Sequence, residues 1–279
     1  MLKLIFPFLA GAFLALPASA QTLDRIKETG QLNLGFRTDA APLSFQRESG
    51  EPAGYAPQVC VHVGQAIANV LKLENLQANF VAVDAANRFD KVANGDIDLL
   101  CGAATITLSR REQVDFSAPI FVDGTAILQM KGAPGTFADM AGKKLVWVRV
   151  TTTQEALENS LKSAGMEAEV VTFVSHDAGI AAMENKEIDA YFADQSILAG
   201  LFFNSDKADN FQMSNEILTI EKQGLALARG DAEFRLLVDT ALSELYANGT
   251  MQKIFADAIP GVQPGLAMRA LYVIAPTVE

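Results

Sequence analysis

Cysteine and histidine are scarce in this chain, which carries two of each among 279 residues. Two cysteines cannot supply a disulfide framework. With only His62 and His176, no metal-ligand spacing and no nucleophile–histidine–acid set is apparent. Positive charge is also in deficit: 22 Lys and Arg stand against 33 Asp and Glu. The resulting net charge of -11 argues against nucleic acid as a partner. It does not exclude an anionic ligand, because a few arginines inside a cleft set the local potential. Beyond residue 20, no stretch is long and apolar enough to span a bilayer.

Residues 1–20 have the pattern of a cleaved secretory signal peptide. Lys3 gives the positive region, residues 4–16 the apolar core and Ala18-Ser19-Ala20 the small-residue cleavage site. A transmembrane anchor is disfavoured, since the apolar run is short, holds Pro7 and is followed by Pro17, and no Cys follows the cleavage point to carry a lipid. An exported, soluble protein starting at Gln21 is expected, with its net charge at -12 once Lys3 is lost. Its 259 residues suffice for one large domain or two ordinary ones. Export permits a disulfide, and Cys60–Cys101 is the simplest pairing; a pair of buried free thiols is the alternative.

Residues 96–117, DIDLLCGAATITLSRREQVDFS, form the stretch around which the rest is organised. Residues 97–101 read as a strand buried on both faces and ended by Gly102. Thr105, Thr107 and Arg110 then follow in the loop at the carboxyl end of that strand, where open α/β sheets hold ligands. Hydroxyls, free amides and a guanidinium suit a carboxylate, although a helix-capping loop with a solvated Arg reads equally well from this stretch alone.

Strands are expected at residues 32–36, 80–83, 121–130, 144–150, 169–173, 188–193 and 224–228. Helices are expected at 22–30, 57–71, 87–94, 151–164, 176–185, 194–203 and 231–248, with a single turn at 136–141. The tail beyond Phe255 carries no clear pattern. FDKVANGDIDLLCG (89–102) and IAAMENKEIDAYFA (180–193) align without a gap at an offset of 91. Chance is one explanation, since helix-then-strand units are common. Two similar α/β halves is the other, and it places the loop at Ala103 opposite the loop at Asp194.

The string ATITLSRREQVDFS resembles the SITPER…VDFS signature of the periplasmic amino-acid-binding proteins of ABC transporters, solute-binding family 3. LGFR…PLSF, GYAPQVC, ANRFDKVANGDIDLLCG, TTTQEAL and SHDAGIAAMENKEIDAYFADQSILAG extend the likeness from Leu23 to Phe255, most nearly to the glutamate/aspartate-binding type. The resemblance implies a two-lobed type II fold, each lobe a mainly parallel sheet flanked by helices. Lobe 1 would span residues 21–122 and, with the tail, 225–279; lobe 2 would span 123–224. Crossings are expected near 121–125 and 222–228. It implies no catalysis, cofactor or metal. The implied partners are an amino acid and an inner-membrane permease, and the protein would act as a monomer.

Carried over position by position, Arg110 clamps the ligand α-carboxylate with Thr105, Thr152 and Thr153, while Asp194 and the backbone at Ala103 take the α-ammonium. Arg37, Arg88 and His176 match positions that read an acidic side chain. Unaided, these three read as a strand-end charge, a helix-surface charge and a helix cap. Ala85, Ala103 and Thr151 depart from the dicarboxylate type, which has Ser, Ser and Gly there, so acid and amide side chains both stay open. Arg149 points into the cleft or to the surface with equal reason from strand alternation. Two competing functions are a dehydratase of cyclohexadienyl substrates, which needs an acid aimed at a leaving hydroxyl, and a sensor input protein.

Overall fold

The computed structural model describes residues 21–205 and 207–275; the leader expected at residues 1–20 lies outside them. Two five-stranded sheets carry the chain. The first holds β1 (Gln31–Arg37), β5 (Gln77–Val83), β6 (Leu99–Leu100), β7 (Val114–Asp123) and β13 (Glu221–Ala228), in the order β5-β1-β6-β13-β7. The second holds β8 (Thr125–Met130), β9 (Lys144–Val148), β10 (Glu169–Phe173), β11 (Ala190–Asp194) and β12 (Phe211–Ile217), in the order β10-β9-β11-β8-β12. Between β1 and β5 lie three short strands, β2 (Asp39–Ala40), β3 (Ser44–Gln46) and β4 (Pro52–Ala53), which pair in a small sheet of their own. The helices are α1 (Gln21–Thr29), α2 (Tyr55–Leu71), α3 (Arg88–Ala93), α4 (Thr152–Ala164), α5 (His176–Glu184), α6 (Gln195–Asn204), α7 (Ala232–Ala247), α8 (Thr250–Ala258) and α9 (Leu266–Ile274). None of these is long and apolar enough to cross a membrane.

The two sheets share one plan. In each, one strand runs against the other four, and it is the strand that has just arrived from the opposite sheet: β13 in the first, β8 in the second. The offset of 91 is structural. Asn94 and Asn185 end α3 and α5 in the same way: their N–H groups donate to Asp90 O and Ala181 O, and the next N–H groups, of Gly95 and Lys186, donate to Val92 O and Met183 O. The repeated Ile-Asp pair has a physical reason. The N–H of Asp98 donates to Asn33 O and its carboxylate accepts from Asn33 N–H, each at 2.8 Å. Asp189 does the same with Lys144, at 2.9 and 2.8 Å. Each aspartate thus pins the start of a neighbouring strand and fixes register.

Each sheet is buried on both faces. In β6, Leu99 points into the core shared by α1, α2, α7 and α8, and Leu100 into the opposite core with Phe89 and Phe116. In β8, Ala126 and Leu128 face one core while Ile127 faces another with Trp147 and Leu157. The Cys60–Cys101 disulfide joins α2 to the end of β6.

The chain leaves the first sheet through Gly124 and returns at Glu221, which pairs with Asp123. The return crossing therefore lies at residues 218–220, earlier than the 222–228 expected. Gly124 is needed because a Cβ there would sit 2.1 Å from Thr219 O, so the two crossings touch. β12, α8 and α9 were not expected. α8 and α9 bury Met251, Ile254, Phe255, Met268 and Leu271 in the core of the first lobe.

Candidate functional site in the cleft

Three guanidiniums enter the cleft from the first lobe. Arg37 is the last residue of β1, Arg88 the first of α3, and Arg110 opens a short 3-10 turn after the β6 loop that carries Ala103 and Thr105. The second lobe offers helix starts and strand ends. Thr152 and Thr153 lie in the first turn of α4, His176 begins α5, and Asp194 closes β11. All nine of these residues, with Thr151 and Ile197, line one small space of ≈ 20 Å³. Arg149 is not among them. It is exposed, because β9 stops at Val148 and the chain turns at Val150, a β-branched residue held at φ 61°. That turn aims the Val150 carbonyl across the cleft at Arg88 Nη2, 3.1 Å away.

The cations are partnered unequally. Arg37 gives Nε at 2.9 Å and Nη2 at 2.6 Å to Asp39 Oδ1. Although burial pushes the Asp39 carboxyl up, Arg37 and His176 hold it below the usual carboxylate range. Arg88 is 2 % exposed and meets only the carbonyls of Ala85 and Val150, leaving Nε without a partner. Burial drives its pKa down, reinforced by Arg37 and Arg110. Arg110 donates to Thr105 O at 2.8 Å, and both Arg88 and Arg110 lie over the Phe89 ring, at 4.5 and 5.0 Å. A buried guanidinium satisfied only by carbonyls is electrostatically incomplete and calls for an anion.

His176 Nδ1 is 2.6 Å from the Tyr191 hydroxyl, an approach that Gly179 permits, since a Cβ there would lie 2.6 Å from the Tyr191 ring. Burial, then Arg37, pushes its pKa down to about 3, so it is neutral at physiological pH. The hydroxyl of Thr151, the residue before α4, donates to Val148 O at 2.6 Å and caps nothing, so no side chain fills the amino end of α4. Asp194 accepts from Gln223 Nε2 at 2.6 Å. Burial, then Asp123 and Glu221, raises its pKa well above the usual carboxylate range, so it favours a cation beside it.

Two carboxylates were not foreseen. Asp39 also accepts the His176 N–H at 3.1 Å, linking the lobes. Glu221 accepts from the hydroxyls of Thr105 (2.7 Å), Thr152 (2.6 Å), Thr219 (2.7 Å) and Thr125 (3.2 Å). The place of Asp39 two residues past Arg37 was a usable signal; Glu221 gave none, because its partners are mostly remote in sequence. Among the described residues, no group of His, Cys, Asp and Glu could hold a metal ion.

This geometry can hold a zwitterion, with cations at one wall and a cation-seeking carboxylate at the other. Known proteins resemble this chain over most of its length. The L-glutamate/L-aspartate-binding protein of Pseudomonas aeruginosa is 32 % identical over 261 residues, covering 91 % of this chain and 86 % of that protein. The glutamate/aspartate import solute-binding protein of Escherichia coli is 30 % identical over 250 residues, 88 % and 82 % of the two chains. Both are named as binding proteins, not enzymes. A substrate-binding protein of an ABC uptake transporter from Streptococcus pneumoniae, solved with histidine, shares the fold with a TM-score of 0.76 at 18 % identity, over 87 % of this chain and 96 % of that one. Residues 32–259 match the model for bacterial extracellular solute-binding proteins, family 3, and the chain belongs to that family.

Proposed function

We propose that this protein captures an acidic amino acid, glutamate or aspartate ahead of their amides, and delivers it to an ABC-transporter permease. The observation that carries this reading is Arg88, buried with no carboxylate partner beside Arg110 and across the cleft from Asp194. In this assignment Arg110 and the amino end of α4, at Thr152 and Thr153, hold the α-carboxylate. Asp194 and the backbone at Ala103 hold the α-ammonium. Arg88 and Arg37 face the side-chain carboxylate, and neutral His176 adds a hydrogen bond without adding charge. Residues 21–123 and 221–275 form one lobe and 125–217 the other; closure on the ligand is the working step, with no bond made or broken. The protein works as a monomer in the periplasm after loss of its leader.

A thermal-shift screen of the twenty amino acids and small dicarboxylates tests this. A ligand at 100 times its Kd stabilises by about 2.7 kcal/mol. Glutamate and aspartate should give the largest shifts. A larger shift with an aliphatic or basic amino acid overturns the assignment.

A further inference from the structure

A carboxylate stands behind the side-chain end of the cleft, against Arg37. Asp39 lies on β2, two residues beyond Arg37, with its side chain 8 % exposed. Oδ1 takes both Nε and Nη2 of Arg37, and Oδ2 takes the N–H of His176 at the start of α5 in the other lobe. A guanidinium and a helix-start amide are the two kinds of group that a ligand carboxylate in this part of the cleft would use. Asp39 already occupies both.

The charges can be counted. Arg37 and Arg88 contribute two positive charges, Asp39 one negative, and His176 none. One further carboxylate neutralises the set, whereas an amide leaves a single positive charge. Without Asp39 an amide would leave two. Asp177 also faces Asp39, but it is exposed and makes no ion pair with either arginine.

We infer that Asp39 sets how strongly the site discriminates a carboxylate side chain from its amide, by holding Arg37 back from the ligand. This rests on the reading that the cleft binds acidic amino acids. Asp39 is thus a positioning residue acting through Arg37. It lowers the contrast between glutamate and glutamine below what two free arginines would give.

Calorimetry with glutamate and glutamine on wild type and Asp39→Asn decides this. The Asn oxygen can still accept the His176 N–H, so the contact between the lobes survives while the charge goes. Glutamate should tighten about tenfold, with glutamine within twofold of wild type, so that the ratio moves toward glutamate. Asp39→Ser, which cannot span to α5, should move the ratio the same way even if both affinities fall. An unchanged ratio, or one moved toward glutamine, in both variants overturns the role of Asp39 while wild-type binding stands. Wild type that binds neither acids nor amides removes the underlying reading, and this inference with it.

Discussion

The two walls of the cleft are built from similar sheets but do different electrostatic work. The first lobe supplies three side-chain cations, Arg37, Arg88 and Arg110, and the second supplies helix starts, a neutral imidazole and one carboxylate. The full positive charges stand on the lobe that also carries the disulfide and the three carboxy-terminal helices. To an anion the second lobe offers only the fractional positive charge of its helix starts, which acts within about one helical turn. In the proposed binding mode a ligand's carboxylates find partners on the first lobe alone and the second lobe contributes on approach, which divides capture from closure.

Arg110→Ala tests this division most severely. It should weaken every amino acid about a thousandfold by calorimetry, since truncating one partner of a buried charge pair costs about 3–5 kcal/mol. If Asp194→Asn costs more than Arg110→Ala, the first lobe is not where capture begins. Next is the disulfide. Cys60→Ser with Cys101→Ser removes a link across 41 residues and should lower stability in urea by about 3 kcal/mol. Hydrogen exchange should rise in the first lobe and stay unchanged in β8–β11; a uniform rise would mean that the lobes do not unfold separately. Arg88→Ala follows: glutamate should lose about a hundredfold and glutamine less than tenfold. Equal losses would move the side-chain pocket elsewhere.

The smallest effect concerns pH. His176 titrates at about 3 in the fold against 6.5 unfolded, so below pH 6.5 the unfolded chain binds a proton that the folded chain refuses. Its contribution to stability falls as pH drops through that window. Asp123 runs the other way: burial, against hydrogen bonds from Ser196 and Gly124, raises it from 3.8 to about 6, so its contribution grows as pH falls from 6 to 4. His176→Gln removes only the first term. Relative to wild type it should gain about 1 kcal/mol between pH 6.5 and 5.5, read from urea midpoints. A difference that does not change with pH would place His176 in a wetter setting than the fold gives it.

What the sequence made legible was local or repeated. β1, α2 and β10 follow from apolar spacing within one segment, and the offset of 91 exposed two equivalent strands because Asp98 and Asp189 each do the same local job. The return crossing was misplaced because Glu221 belongs to β13 only through its pairing with Asp123, which no nearby residue announces. α9 is apolar nearly all round, so its sequence does not mark which residues, Met268 and Leu271, meet the core of the first lobe. In the cleft, resemblance located the nine residues that now line it, and alternation could not place Arg149, since the turn at Val150 ends the strand's periodicity. Glu221 went unseen because Thr105, its partner across the fold, is 116 residues away; Asp39 was announced by Arg37 two residues before it, but its second partner, His176, is 137 residues away.

The hydroxyls around Glu221 change the polarity of the cleft. A threonine hydroxyl has one proton, and Thr105 and Thr152, from opposite walls, both give theirs to Glu221 Oε2. What remains on each oxygen is lone pairs. The two side chains that read in the sequence as donors to a carboxylate are thus acceptors for as long as Glu221 keeps its charge. In the proposed binding mode an incoming anion is therefore turned from these hydroxyls toward Arg110 and the backbone amides, and an ammonium is drawn to them. A residue on the crossing strand thereby orients a ligand by deciding which way two protons point.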